Sequence, residues 1–153
     1  MIATTQLRPA TDNDLAAIEQ LLTQNDLPLD GVREALRTFV VAEADGDLVG
    51  VAGLEICRDN ALLRSVAVSP AWRSRGVGRA LVTRAVSEAE ARGLRALYLL
   101  TTTAEKYFPR FGFTSTTRAA VPQELKSSAE FRGACPDTAV VMRRRLGRST
   151  GTA

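Results

Sequence analysis

Hydrophobic residues recur every three or four positions in two stretches of this chain, which is the spacing of one face of an α-helix. The first stretch contains Leu15, Ile18, Leu21 and Leu22. Because Thr11 and Asp14 precede it with the spacing of a capping box, a helix is predicted over about residues 12–24. In the second stretch the apolar positions run from Ala80 to Ala89, and Gly93 is the expected helix stop.

Seven other segments read as short strands, some of them as compact apolar runs. These runs cover residues 5–8, 39–42, 48–52, 61–68, 96–101, 113–118 and 138–146. Asp45-Gly46 separates the second run from the third and favours a tight hairpin, and a polar turn at 58–60 leads to the fourth run. With short helices predicted at 30–37 and from about residue 104, the order is β-α-α-β-β-β-α-β-α-β-β. This order predicts an α/β domain in which helices flank a mixed, mostly antiparallel sheet.

Length and composition are those of one globular domain. The chain has 153 residues, of which 45% are hydrophobic, so a single core is expected over residues 1–146. Residues 147–153 have nothing to bury and are predicted to be a disordered tail. The sequence shows neither a run of about 18 apolar residues nor the pattern of a signal peptide. We therefore expect a cytoplasmic protein that does not bind a membrane.

Charge and residue usage exclude several classes of function. The net charge of +3 comes from a cluster of four arginines after residue 142, so the body of the domain lacks the basic surface that nucleic acid requires. The chain contains no histidine, which excludes His-dependent catalytic triads and His metal sites. The two cysteines, Cys57 and Cys135, are expected to be reduced thiols that hold no metal. Acid–base chemistry therefore falls to Glu, Asp, Tyr, Cys or water.

A basic, glycine-containing loop between a strand and a helix is the most informative segment. It spans residues 63–81 and carries Gly76 and Gly78, with arginines at positions 73, 75 and 79 and no carboxylate between residues 64 and 79. Glycines allow an anion to approach the backbone closely, and the first N–H groups of a helix have no internal partner. The spacing differs from the Walker loop and from the dinucleotide fingerprint, which would need a third glycine where Leu81 stands. The segment therefore predicts a pyrophosphate site of another kind.

This segment resembles the coenzyme loop of the GNAT acetyltransferases, Arg/Gln-x-x-Gly-x-Gly/Ala after a strand, with Arg73, Gly76 and Gly78 in the matching positions. The resemblance extends to Phe111-Gly112-Phe113 and covers roughly residues 5–146. It implies a GNAT fold, acetyl-CoA as the cosubstrate, and direct transfer of the acetyl group to the amine of a small molecule.

Two narrower resemblances concern the acceptor. Residues 62–68 together with Leu100-Thr101 look like the N-acetylglutamate synthase branch of the superfamily. The fuller pattern, including Pro122 and residues 128–136, resembles bacterial arsenic-resistance N-acetyltransferases. Both imply an amino-acid-like acceptor with an α-amino group and a carboxylate. GNAT proteins frequently dimerise, so the resemblance is also compatible with a homodimer.

The resemblance implies roles for individual residues of the cofactor site. Backbone groups of Val66, Ala67 and Val68 would contact the pantetheine arm and the thioester. The pyrophosphate would be held by Arg73, Ser74, Arg75, Gly76, Val77, Gly78 and Arg79. In the family, a tyrosine four residues before the glycine of Gly-Phe commonly protonates the departing thiolate, but here that position is Phe108. Tyr107 is the candidate acid, although a thiol with a pKa of about 8.5 can leave without one.

Four polar residues are candidates for the acceptor side. An arginine at the position of Arg64 holds the acceptor carboxylate in the synthase-like branch, but Arg64 would also face Glu55 across the hairpin if Asp59-Asn60 formed the centre of its turn. Glu55 is the candidate general base through water, with a structural ion pair as the alternative. Ser128 and Arg132 lie in the long segment before the last strand and would close over the acceptor, unless this loop is simply solvated.

Two other functions stay open on the sequence. The same fold could acetylate a protein N-terminus or lysine, and Phe108 in the tyrosine position is compatible with a non-catalytic acyl-CoA sensor. A nucleophilic Cys135 is disfavoured because no histidine exists to activate it.

Overall fold

A seven-stranded sheet forms the centre of the protein. The computed structural model describes residues 5–128, 131 and 138–147. The strands are β1 (Gln6–Pro9), β2 (Phe39–Ala44), β3 (Asp47–Cys57), β4 (Asn60–Val68), β5 (Ala96–Thr101), β6 (Thr114–Thr116) and β7 (Val140–Arg145). They lie in the order β1-β2-β3-β4-β5-β7-β6, and every neighbouring pair is antiparallel except β4 and β5. The predicted mixed, mostly antiparallel sheet is confirmed.

Within the described residues, three α-helices flank the sheet: α1 (Leu15–Gln24), α2 (Val32–Ala35) and α3 (Val77–Ala91). The helix predicted from residue 12 begins with a 3₁₀ turn, and the one predicted at 30–37 is a single α-turn followed by the 3₁₀ turn Leu36–Thr38. The helix expected from about residue 104 is also shorter, since only the 3₁₀ segment Phe108–Phe111 forms there. A short helix can keep the tighter 3₁₀ geometry because it contains few backbone hydrogen bonds, so their poorer geometry costs little.

The two faces of the sheet are covered by different helices. On β2, Phe39 and Val41 are buried with α1 and α2, whereas Val40 and Ala42 are buried with the first turns of α3. This is the alternation expected of a strand between two layers. The chain therefore has one sheet with α1 and α2 on one side and α3 on the other.

A β-bulge in β4 reverses this alternation halfway along the strand. The β3–β4 partners around it are Val51 with Ala67 and Gly53 with Arg64, so two residues of β4 oppose one of β3. Ser65 takes the extra position with a φ of +59°. Before the bulge Leu63 packs on the α3 side, and after it Ala67 packs on the α1 side. A bulge of this kind bends a strand and turns its side chains to new directions, which prepares β4 to line a cavity.

Residues 148–153 of the predicted tail lie outside the described residues, so the division into a domain at 1–146 and a tail stays a prediction. Within the described ranges, none of the helices combines the length and the apolar character needed to span a bilayer.

An ion pair fixes the start of α1 to β1 and makes the fold sensitive to acid. Arg8 donates from both terminal nitrogens to the two oxygens of Asp14, at 2.8 and 2.9 Å, and Asp14 also accepts from the backbone N–H of Thr11 at 2.7 Å. Mainly because of the Arg8 hydrogen bonds, the pKa of Asp14 falls from its ordinary value of 3.8 to about 2. A carboxylate with a lowered folded-state pKa stabilises the fold above its unfolded-state pKa, and this contribution is lost as the pH falls towards 2.

We therefore expect Asp14→Asn to lower the free energy of unfolding by about 1–2 kcal/mol at pH 7, since the partner Arg8 is partly exposed and screened. The difference from the parent protein should shrink as the pH is lowered from 7 to 2.5. Urea denaturation of both proteins at several pH values measures it. A difference that stays constant with pH would mean that the charge of the Asp14 carboxylate does not stabilise the contact between β1 and the start of α1.

Candidate active site

A wedge-shaped opening separates the second halves of β4 and β5. The two parallel strands are paired only where residues 60–62 meet residues 96–98, yet β4 continues to Val68 and β5 to Thr101. Residues 63–68 and 99–101 line a cavity of about 560 Å³ in this opening. Backbone N–H and C=O groups on the facing edges are therefore available to a ligand that inserts between the strands.

The N-terminus of α3 lies at this cavity, preceded by the basic loop. Gly76 caps the helix with a φ of +85°, and Ser74 has a φ of +64°. Arg73, Ser74, Gly76, Gly78 and Arg79 all line the cavity, together with Val66, Ala67 and Val68 of β4. Since the first N–H groups of α3 have no partner within the helix, the loop offers donors and positive charge to an anion. The fold thus brings together most residues that were predicted to bind the cofactor.

Two members of the predicted pyrophosphate loop have side chains directed elsewhere. Arg75 lies over the ring of Trp72, with its guanidinium carbon 5.0 Å from the ring centroid. Val77 is buried in the core against Leu81. Neither is among the described residues that line the cavity. A contact of these two residues with a pyrophosphate would therefore have to come from their backbone N–H groups.

Asn25, which the sequence did not indicate, joins α1 to the basic loop. Its side-chain oxygen accepts a hydrogen bond from Arg73 at 2.8 Å, and its amide nitrogen donates to the carbonyl of Leu21 at 2.9 Å. Asn25 follows α1 directly and lines the cavity. No motif could have identified it, because the contact joins segments 48 residues apart.

The walls of the cavity carry an excess of positive charge. Its lining includes four arginines, which are Arg64, Arg73, Arg79 and Arg110, and no Asp or Glu among the described residues. Nor does any group of three or more His, Cys, Asp or Glu side chains within the described ranges have the arrangement of a metal site. A ligand that brings several negative charges is therefore favoured in this cavity.

Arg64 is buried in the cavity wall and is also paired with Glu55. Its side chain is fully buried, and one terminal nitrogen lies 3.0 Å from a carboxylate oxygen of Glu55. Nε donates to the hydroxyl of Ser65 at 3.1 Å, and the second terminal nitrogen donates to the carbonyl of Asp30. The ion pair with Glu55, one of the two predicted roles of Arg64, is present. The position of Arg64 in the cavity wall is compatible with the other role, binding of the acceptor carboxylate.

The turn before β4 lies one residue earlier than the arrangement considered for this ion pair, which moves the partner of Arg64 by two residues, from Glu55 to Gly53. Cys57 pairs with Asn60, so the turn is formed by Arg58 and Asp59 rather than centred on Asp59-Asn60. Arg64 consequently lies opposite Gly53 and reaches Glu55 diagonally on the same face of the sheet. Glu55 is not among the described lining residues, and its role as a general base stays a prediction.

Phe108, at the family's acid position, and its neighbour Tyr107 both line the cavity, but they differ in burial and contacts. Phe108 is 7% exposed and packs in the core against Phe113, with ring centroids 5.8 Å apart. Tyr107 lines the cavity, and burial raises the pKa of its phenol above the ordinary value of 10.0, although nearby Arg110 and Arg79 oppose the shift. The phenol is therefore protonated at neutral pH and can donate a hydrogen bond.

The remaining predicted acceptor residues are only partly described. Ser128 is 4% exposed, and its hydroxyl is buried without a hydrogen-bond partner among the described residues, but it does not line the cavity. Arg132 lies outside the described residues, as does Cys135. The acceptor roles of Ser128 and Arg132 stay predictions.

Comparison with known proteins agrees with this geometry. The model of the acetyltransferase (GNAT) family matches residues 5–113. The chain therefore belongs to the acetyltransferase (GNAT) family, whose acetyl donor is acetyl-CoA. The resemblance predicted from the basic loop is confirmed.

Individual relatives are consistent with the amino-acid branch of the family. The amino-acid acetyltransferase of Serratia proteamaculans is 32% identical over 131 residues, covering 80% of this chain and 30% of the relative. The fold matches N-acetylglutamate synthase from Neisseria gonorrhoeae complexed with coenzyme A and N-acetyl-glutamate, with a TM-score of 0.82 at 24% identity over 97% of this chain and 36% of that one. A Mycobacterium tuberculosis protein in complex with CoA and NLQ gives a TM-score of 0.80 at 28% identity, covering 93% of this chain and 99% of that one. The chain spans about a third of the length of the curated relatives that it matches.

Proposed function

We propose that this protein transfers the acetyl group of acetyl-CoA directly to the α-amine of a small acceptor that carries a carboxylate. The observation that carries the proposal is a single cavity with the N-terminus of α3 and its basic loop in one part of the wall and the buried Arg64 in another. Pyrophosphate and carboxylate are the anions that such groups bind. The similarity to amino-acid acetyltransferases supports the same acceptor class.

In this proposal the coenzyme extends along the opening between β4 and β5. Its pyrophosphate would accept hydrogen bonds from the loop at 73–79, and its pantetheine arm would pair with the free backbone edge of Val66, Ala67 and Val68. Backbone N–H groups of this edge would also hold the thioester carbonyl and the oxyanion that forms from it. The protein's main contribution would be to hold donor and acceptor in the reactive orientation.

The chemical step conserves atoms without a further reactant. The neutral amine attacks the thioester carbon, a C–N bond forms, and the C–S bond of the tetrahedral intermediate then breaks to release the coenzyme A thiolate. The amine loses one proton and the thiolate gains one. Because an α-amino group has a pKa of about 7.7–8.0, a weak base such as Glu55 acting through water would suffice.

A non-catalytic acyl-CoA sensor is the second candidate. Phe108 fills the position of the family's tyrosine and is buried in the core, where it offers no proton. A sensor would bind acetyl-CoA and release no thiol with any acceptor, whereas a peptide acetyltransferase would prefer peptides to free amino acids.

The experiment that tests the proposal is release of free thiol from acetyl-CoA with a panel of amino acids, amines and short peptides. The panel includes arsenicals that carry an α-amino group and a carboxylate, because of the resemblance to arsenic-resistance enzymes. The best amino acid should exceed its own carboxamide by roughly ten- to a hundredfold in kcat/KM, the worth of one charge-assisted contact. Equal values for acid and carboxamide would contradict carboxylate recognition. The absence of thiol release with every acceptor in the panel would contradict the enzyme assignment.

A further inference from the structure

The hydroxyl of Tyr107 lies beside the first turn of α3. A Cβ atom placed on Gly78, the second residue of that helix, would lie 3.1 Å from this hydroxyl oxygen. The phenol therefore faces the end of the cavity where the helix presents its unpartnered N–H groups. A general acid would instead have to reach the coenzyme sulfur, which is a whole pantetheine arm away from the pyrophosphate.

The surroundings of Tyr107 are cationic. The guanidinium carbon of Arg110 lies 4.6 Å from the centroid of the Tyr107 ring, and both side chains line the cavity. Arg79, the residue after Gly78 in the first turn of α3, also lines the cavity. With no carboxylate among the described lining residues, an O–H donor between two arginines is suited to a phosphate oxygen.

We propose that Tyr107 and Arg110 recognise the phosphate part of the acetyl donor: the Tyr107 hydroxyl donates a hydrogen bond to the pyrophosphate, and Arg110, held over the ring, adds a positive charge. Tyr107 is then a positioning residue and not the acid of the reaction. This inference rests on the proposed function for the identity of the donor, but it makes no use of the acceptor. A Cβ atom at position 78 would require the hydroxyl to move by a few tenths of an ångström, so the glycine leaves the phenol room in its present position.

The test compares two donors that differ only beyond the pantetheine arm, acetyl-CoA and S-acetylpantetheine, which lacks the pyrophosphate. Tyr107→Phe should lower the preference for acetyl-CoA over S-acetylpantetheine, measured as the ratio of kcat/KM values, by about tenfold. Arg110→Met should lower the same ratio. Dissociation constants of coenzyme A and pantetheine, measured by calorimetry without acceptor, should change in the same sense even if no acceptor has been found.

Matched controls remove the same groups elsewhere. Tyr98→Phe alters a core tyrosine that does not line the cavity, and Arg95→Met alters an arginine whose side chain is 79% exposed. Neither should change the ratio. An equal loss of kcat/KM with both donors in Tyr107→Phe would indicate that Tyr107 acts as the acid. An unchanged ratio together with an unchanged affinity for coenzyme A would show that Tyr107 does not recognise the donor. If Tyr107→Phe lowers the melting temperature, the binding ratio still decides, because both ligands meet the same folded fraction.

Discussion

Replacing Gly76 with glutamate should abolish the stabilisation of this protein by acetyl-CoA. Gly76 caps α3 with a φ of +85°, and apart from its chain neighbours no atom lies within 4 Å of a Cβ placed on it, so the new side chain has room beside the anion site even though the backbone is strained. Its negative charge would repel the pyrophosphate and interact with the helix N-terminus in its place. For the parent protein, acetyl-CoA at a hundred times its dissociation constant should add about 2.7 kcal/mol, or roughly 5–10 °C in melting temperature.

Gly46→Glu is a close control for this substitution. Gly46 has a φ of +84° and equally open surroundings, but it lies in the β2–β3 hairpin and does not line the cavity. Both variants should lose similar stability from backbone strain. Only Gly76→Glu should lose the shift with acetyl-CoA. A full shift in Gly76→Glu would contradict the assignment of the pyrophosphate site, and loss of the shift in Gly46→Glu would show that strain alone explains the effect.

Those parts of the fold that depend on local pattern could be predicted from the sequence. Asp45-Gly46 forms the expected hairpin turn with φ values of 51° and 84°, because few residues other than Asn, Asp and Gly adopt the left-handed region easily. The core helix α3 and the buried strand β5 follow from hydrophobic spacing alone. The anion loop was found because its glycines and arginines are adjacent in the sequence.

The β3–β4 turn shows where local pattern is insufficient. Arg58 takes the left-handed conformation with a φ of +57°, although Asp59-Asn60 is the more typical turn sequence. Asn60 is instead part of β4 and donates to Glu124 at 3.3 Å, so a contact with a distant segment competes with the local preference. The bulge at Ser65 was also missed, since no glycine marks it.

The site residues that were missed come from segments that meet only in the folded chain. Asn25 and Arg110 line the cavity from the end of α1 and from the turn after β5. Arg110 carries no signal in the sequence, because an exposed arginine after a proline is ordinary in a loop. Its importance follows from the Tyr107 ring beneath it and from the lack of acidic residues in the described cavity lining.

Arg64 has the contacts of a structural residue as well as a place in the cavity, so a variant must separate the two. Its guanidinium donates hydrogen bonds to Glu55, to Ser65 and to the carbonyl of Asp30, among other interactions. A lysine at this position keeps the charge but cannot reproduce the planar arrangement of N–H donors on the guanidinium. We expect Arg64→Lys to lower the free energy of unfolding by about 2–4 kcal/mol, because the hydrogen bonds of a buried guanidinium are lost while a charge remains buried.

The same substitution should remove the advantage of the amino acid over its own carboxamide, reducing that ratio of kcat/KM values by about tenfold or more. The ratio is insensitive to lost stability, because both acceptors meet the same folded fraction of one enzyme. Glu55→Gln is the matched control, since it removes the ion pair's negative charge and leaves the guanidinium in place. If Glu55 is only structural, Glu55→Gln should keep both the ratio and kcat. If Glu55 is the general base, Glu55→Gln should lower kcat with both acceptors. A parent-like ratio in Arg64→Lys would contradict carboxylate recognition by Arg64 and leave it as the structural partner of Glu55.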